Sequence, residues 1–361
     1  MIKDAIEILK IIESNKYKAY IVGGYARDFY RNETNKDIDI CTSAKPEELK
    51  KIFNDDITID NYGSQILTYK DNKYEITTFR KEKGYIDNRH PSKVKFVKSL
   101  KTDLKRRDFT MNALCLTSDY NYIDYYNGMD DINHKIIRTI GSADKKIKED
   151  ALRILRAIRF STTLGFEIED SLDKAIEKNR ELVHNLSYYS RKKELEKIFT
   201  SRNKFKGIGL LLKYRLEEPL EIYNLKDIVM TDTIYGIWAQ IENIEKYPFT
   251  KEEMLVINTI RKLIDKDLTD QHILYNNNLK ILKIASTINH QNFQQIEEEY
   301  NKLPIHSKNE INITFNEILE IYNNKEIAIE ILNEIEHLIL SNKLENNKEK
   351  IINYIKEKNI F

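Results

Sequence analysis

A chain of 361 residues, 41% hydrophobic and 32% charged with a formal net charge of +1, exceeds what one hydrophobic core usually organises and points to two or more domains. No run approaches the roughly 20 apolar residues that span a bilayer, and the start, MIKDAIEILK, carries an acid where a signal peptide needs an apolar run. A membrane class is thereby excluded and a soluble, cytoplasmic protein is expected.

Cys41 and Cys115 are far apart and outside any CxxC or Cys/His spacing. They exclude a disulfide framework and a structural zinc site, and they read as small buried hydrophobes. Ala5, Ile8, Leu9 and Ile12 recur at helical spacing, so the first segment predicts an amphipathic helix. Tyr20, Ile21 and Val22 predict a short strand that ends at Gly23 and Gly24. Two glycines between a strand and a helix let the backbone approach a ligand closely, with free N–H groups of the helix start aimed at it. Arg27, one turn on, adds a cation to the same phosphate site, although the motif alone also fits a tight turn with a surface Arg-Asp pair.

Asp37 to Ile40 then alternates charged and apolar side chains. In a strand this places Asp37 and Asp39 on one face, with Ile38 and Ile40 on the other. Two carboxylates side by side repel unless a cation lies between them, and hard oxygen ligands suit Mg²⁺. Pro46 opens a helix. Residues 65–69 and 74–79 predict two strands around a turn at Asp71 and Asn72, and the second places Glu75 as a third carboxylate beside the aspartates. Residues 81–91, KEKGYIDNRHP, have the Gly, Asp, Asn and Pro content of a mobile loop.

Lysines crowd the stretch from Lys93 to Lys105, which runs into RRDFTMNAL. There Asp108 and Asn112, four apart on a predicted helix, face a ribose hydroxyl, with Arg107 beside them. Residues 136–140 predict a last strand, and beyond Ile147 the pattern is helical throughout. In KEDALRILRAIRFSTTLGF, Leu152, Leu155 and Ile158 point inward and Gly165 is the C-cap. The fold class expected is α+β, a head of mixed sheet and helices followed by an all-helical remainder.

These residue types suit nucleotidyl transfer, which needs positioning and charge neutralisation more than covalent help from the protein. Asp37 and Asp39 would hold Mg²⁺, and the Gly23-Gly24 turn with Arg27 would hold the triphosphate. Asp150 and Arg153, three apart on a predicted helix, combine an acceptor with a donor. That edge matches the pairing edges of cytosine and adenine and mismatches uracil and guanine. An ordinary surface salt bridge is the competing reading.

GGYARD, the spaced DIDI, YEITTFR, RRDFTMNAL and EDALRILRAIRF, in this order, resemble the class II tRNA nucleotidyltransferases, the CCA-adding enzymes with their bacterial poly(A) polymerase relatives. The resemblance covers about the first 165 residues. It implies a polymerase-β-like head at 1–140, a neck with the base-selecting helix at 141–205, a body at 206–290 and a tRNA-binding tail at 291–361. It implies Gly24 and Arg27 on the triphosphate, Asp37 and Asp39 on Mg²⁺, and Arg107, Asp108 and Asn112 near the sugar. Asp150 and Arg153 read the base, and Arg156 and Arg159 join the nucleotide site. On an ideal helix, however, Arg159 lies opposite Asp150, which favours a phosphate or neck contact over base reading.

The expected substrates are tRNA, CTP and ATP, with no membrane or protein partner evident. The same head motifs serve A-adding enzymes and poly(A) polymerases. A binding protein with a relic head is the reading from another class. Enzymes that add only CC lack the flexible loop, which here is residues 84–91. One departure stands in SYYSRKKELEKIF, where Tyr189 and Ser190 replace an expected Glu-Arg, although Arg191 is adjacent and Glu194 and Leu195 are retained.

Overall fold

The computed structural model describes residues 1–54, 57–59, 64–86 and 88–358. The chain divides into two compact units, residues 1–226 with 243–248, and residues 227–242 with 249–361. Among the described residues no helix is long and apolar enough to cross a membrane.

The first unit opens with α1 (Ile2–Ser14), β1 (Ala19–Val22), α2 (Gly24–Tyr30), β2 (Asp39–Thr42) and α3 (Pro46–Ile52), then β3 (Ile57–Ile59), β4 (Ser64–Tyr69) and β5 (Asn72–Thr78). After these come β6 (Arg80–Ile86), β7 (His90–Phe96), α4 (Leu100–Arg106), β8 (Cys115–Leu116), β9 (Tyr122–Ile123) and α5 (Gly128–Asn133). Seven strands form one sheet in the order β3-β4-β5-β2-β1-β8-β9. Its one parallel pair, β2 with β5, makes the sheet mixed. The period-2 pattern explains why both faces are covered. Ile21, Ile40 and Ile76 pack with Ile8, Leu9 and Ile12 of α1 on one face, and Val22, Cys41 and Cys115 pack with Leu100 and Leu104 of α4 on the other. Both cysteines are free and buried, as their isolation in sequence implied.

Three expectations are corrected here. The turn between β4 and β5 is Lys70-Asp71, both with positive φ, one residue earlier than Asp71-Asn72. Of residues 81–91, expected as a loop, 81–86 lie in β6 and 90–91 in β7, antiparallel to it, while Asp87 lies outside the described residues. Their Gly and Pro content signalled a turn, but register pairing on both sides of it overrode local composition. The strand expected at 136–140 is only β10 (Ile136–Ile137), outside the main sheet.

Past β10 lie α6 (Ala143–Glu149), α7 (Leu152–Leu164), β11 (Glu167–Ile168), α8 (Asp170–Asn179), α9 (Tyr188–Phe199) and α10 (Lys204–Lys213). β10 pairs in parallel with β11, a strand that the helical periodicity concealed. Gly165 ends α7 in the left-handed conformation, the expected C-cap. The second unit is helical, with no strand among its described residues. Its cores gather Leu263, Leu274 and Leu282 in one cluster and Ile318, Ile335 and Ile351 in another.

Candidate active site

Antiparallel pairing of β1 with β2 sets Val22 opposite Asp39, so the Gly23-Gly24 turn leaves the sheet beside the first carboxylate of β2. Parallel pairing of β2 with β5 then sets Glu75 opposite Asp39. One open cleft of about 690 Å³ lies above this junction. Gly23, Gly24, Arg27, Asp37, Asp39, Arg107, Asp108, Asn112, Asp150, Arg153, Arg156 and Arg159 all line it. Glu75 does not line it. It is exposed and accepts a hydrogen bond from Ser64 at 2.9 Å.

Gly23 has φ 78° and ψ −137°, a backbone region essentially reserved for glycine, and a Cβ there would sit 3.4 Å from Asp39 Oδ2. Gly23→Ala is therefore expected to cost about 1–3 kcal/mol of stability through its backbone conformation, and to crowd the phosphate side of the cleft with a methyl group in contact with Asp39. Thermal unfolding together with nucleotide binding checks this, and wild-type values for both would refute it.

Asp37 precedes β2, because the strand begins at Asp39; its amide donates to Asn35 Oδ1 at 3.0 Å. The two aspartates therefore share the cleft without sharing a strand face. Burial, then the neighbouring Glu75 and Asp37 carboxylates, push the Asp39 carboxyl up to about 6 against the partial relief of Arg107. That is the signature of uncompensated negative charge. No cluster of three or more Asp, Glu, His or Cys close enough to hold an ion exists among the described residues.

A chain of buried and half-buried polar groups runs across the floor. Asn35 donates to Asp28 at 2.8 Å, and Asp28 takes both Nε (2.8 Å) and Nη2 (2.9 Å) of Arg27. Arg27 Nη1 donates to Asn112 Oδ1 at 2.7 Å, and Asn112 Nδ2 donates to Asp108 at 3.2 Å. Asp108 ends the chain on Arg156, whose Nε lies 2.7 Å away. Burial alone would raise the Asp108 carboxyl. The Arg156 guanidinium, the Asn112 amide and the Phe109 N–H together hold it well below the usual carboxylate range.

Asp108 and Asn112 meet as the sequence suggested, but not on an α-helix. Asp108 lies in the bend after α4, and Asn112 closes a 3₁₀ turn over Thr110–Asn112. Arg107 follows the end of α4, and its buried Nε has no hydrogen-bond partner.

The expected Asp150–Arg153 pair is also rearranged. Asp150 falls in the break between α6 and α7, where its Oδ1 accepts from Leu152 N at 3.0 Å. Burial raises its carboxyl above the ordinary value, with Arg153 and Arg89 opposing. Arg153 is buried beneath, donating to the carbonyls of Lys146 (2.6 Å) and Arg106 (3.0 Å) and to Glu149 (3.3 Å). A short polar side chain capping its own helix start outcompetes the i,i+3 contact. Arg159, expected to make a phosphate or neck contact instead of reading the base, donates to Glu194 of α9 at 2.6 Å. Where Tyr189-Ser190 departs from the family pattern, buried Arg191 donates to the carbonyls of Leu186 (2.9 Å) and Leu220 (3.3 Å), and Ser187 caps α9.

Of two further contributors, one escaped the sequence reading and the other was expected only as a mobile loop. Phe160 has the guanidinium of Arg159 3.8 Å above its ring centroid, with Arg27 and Arg156 at 5.3 and 5.4 Å. Its place directly after Arg159 was the available signal. The tip of the ribbon is the other. Asn88 accepts from Ala151 N at 2.8 Å, donates to Lys148 O at 2.8 Å and accepts from Asn185 at 3.0 Å, and Arg89 lies 3.9 Å from Asp150. The tip is thus tied to the helix break that holds Asp150.

The Poly A polymerase head domain family matches residues 19–138, and a putative second domain of tRNA nucleotidyltransferases matches residues 246–355. With the cleft just described, the class is a nucleotidyltransferase. The CCA-adding enzyme of Bacillus subtilis is 31% identical over 98% of this chain and 97% of its own, and that of Staphylococcus haemolyticus is 33% identical over 99% and 98%. The chain belongs to the CCA-adding enzyme family. The Bacillus stearothermophilus CCA-adding enzyme, solved in complex with CTP, superimposes with a TM-score of 0.81 at 26% identity, covering 99% of this chain and 97% of that one. The Thermotoga maritima CCA-adding enzyme, complexed with tRNA, shares the fold at a TM-score of 0.69 and 19% identity over 98% and 94% of the two chains.

Proposed function

We propose that this chain adds C, C and A to the 3′ end of tRNA from CTP and ATP, releasing pyrophosphate and using no nucleic-acid template. The observation that carries the reading is the meeting, in one cleft, of the glycine turn, two aspartates and the arginines of α7, in a chain alike to CCA-adding enzymes over nearly its whole length. The Gly23-Gly24 turn admits the triphosphate close to the backbone, and Arg27, which lines the cleft beside it, supplies a cation there. Asp108 and Asn112 fix the sugar side through their shared hydrogen bond. Asp150 offers the acceptor and Arg153 the donor to the base edge, and Arg156 and Arg159 complete the positive wall.

The donor set fits Mg²⁺. Asp37 and Asp39 would be its hard oxygen ligands, and a cation there would relieve their mutual repulsion, which Glu75 reinforces. A Mg²⁺ bound there supplies charge neutralisation for the pyrophosphate and acidifies the attacking 3′-hydroxyl. The division into head (1–140), neck (141–205), body (206–290) and tRNA-binding tail (291–361), and a cytoplasmic location, belong to the same proposal.

The test is incubation of purified protein with tRNA ending at the discriminator base and each labelled nucleotide. Sequential addition of two C and one A is expected. Arrest after CC, or addition of A without CTP, refutes the proposal, and long A-tails on generic RNA assign the chain to poly(A) synthesis.

A further inference from the structure

A second and larger cleft, about 1170 Å³, lies between the β6–β7 ribbon and the helices α4 and α6. Lys81 and Lys83 line it from the ribbon, Lys105 from the end of α4 and Lys145 from α6. The ribbon register sets Lys81 directly opposite Lys95 and Lys83 directly opposite Lys93. All six lysines are exposed, and none has an ion-pair partner among the described residues.

Neighbouring cations are neutralised. Arg106 pairs with Asp103 at 2.9 Å and Glu82 at 3.3 Å, and Lys148 pairs with Asp144 at 2.8 Å. Like charges directly opposite across strands are destabilising, and a two-stranded ribbon outside a larger sheet has little stability to spare. Two stacked Lys–Lys rungs therefore weaken the element that carries them. A polyanion laid along the rungs relieves that repulsion.

We propose that this lysine ladder holds the phosphate backbone of the RNA acceptor by charge alone, without reading sequence. The inference rests on the tRNA reading above. Glu82, Tyr85 and Arg106 line both clefts, so a strand held by the ladder adjoins the reaction cleft. Binding of this kind releases counterions, and each neutralised phosphate contributes about 0.7 (single strand) to 0.9 (duplex) to the slope of log affinity against log salt.

The experiment uses the full chain carrying Lys81→Gln, Lys83→Gln, Lys93→Gln and Lys95→Gln together, with tRNA lacking CCA. Affinity for tRNA is measured across a KCl series, and KM for CTP at saturating tRNA. The salt slope is expected to fall by about three and tRNA affinity by about 10³-fold near about 0.1 M KCl, with KM for CTP unchanged and the melting temperature no lower. The corresponding four Lys→Arg changes should restore the wild-type slope. If the glutamine variant melts early, Lys93→Gln with Lys95→Gln carries the same test with half the change in slope. An unchanged slope and affinity overturn the ladder while wild-type CCA addition leaves the proposed function standing. Failure of the wild type to extend tRNA overturns that function instead.

Discussion

Asp39→Ala is expected to lower CMP incorporation into tRNA by about 10³-fold and to leave tRNA affinity unchanged. A metal-held charge contributes several kcal/mol to the transition state, and about 1.4 kcal/mol is worth a factor of ten. Asp37→Ala should behave alike, since both carboxylates line the cleft beside the glycine turn. Turnover retained in either variant would refute the metal assignment. The pH dependence follows from the same geometry. In the metal-free protein Asp39 titrates at about 6 instead of the ordinary 3.8, so the folded chain holds its proton more tightly than the unfolded chain does. Stability of the metal-free protein therefore falls as pH rises from 3.8 to about 6. The proposed Mg²⁺ binding would have the opposite sign. It needs the carboxylate and weakens as pH falls below about 6, which a metal titration at two pH values measures.

Arg153→Ala should have two separable effects. Its guanidinium serves the carbonyls of Lys146 and Arg106, and a buried carbonyl left without a donor costs about 1–3 kcal/mol, so a loss of about 2–4 kcal/mol in unfolding free energy is expected. If Arg153 reads the base as proposed, discrimination of CTP and ATP against UTP and GTP should also relax, by about 10-fold. Denaturant unfolding and competition between nucleotides read the two separately. Lost stability with unchanged selectivity would assign Arg153 to the fold alone.

The sheet strands of the head were legible wherever period-2 alternation met a turn, as in β1 and β5, and the capped, periodic α7 was equally clear. The ribbon was not, because its residues carry loop composition and its strands exist only through pairing with each other. Asp150 was placed on a helix face when it caps a helix start, because its side chain and the backbone compete locally and i,i+3 spacing does not report that competition. Phe160 was passed over as one more apolar residue of α7. Its role follows from three arginines that converge on it from two helices.

By itself the sequence determined the chemistry on offer: a glycine turn for phosphate, carboxylates for a cation, and an α7 studded with arginines. Spacing and residue type suffice there, because each of these motifs is local. Only the tertiary structure decided how those groups are committed. Arg27 is held by Asp28 and Asn112, Asp108 by Arg156, and Arg153 by backbone carbonyls, which leaves Asp39 with the unrelieved charge. The reason is that desolvation and hydrogen-bond partners are properties of the assembled cleft. Contacts such as Arg156 to Asp108 join residues 48 positions apart, and no local pattern carries them.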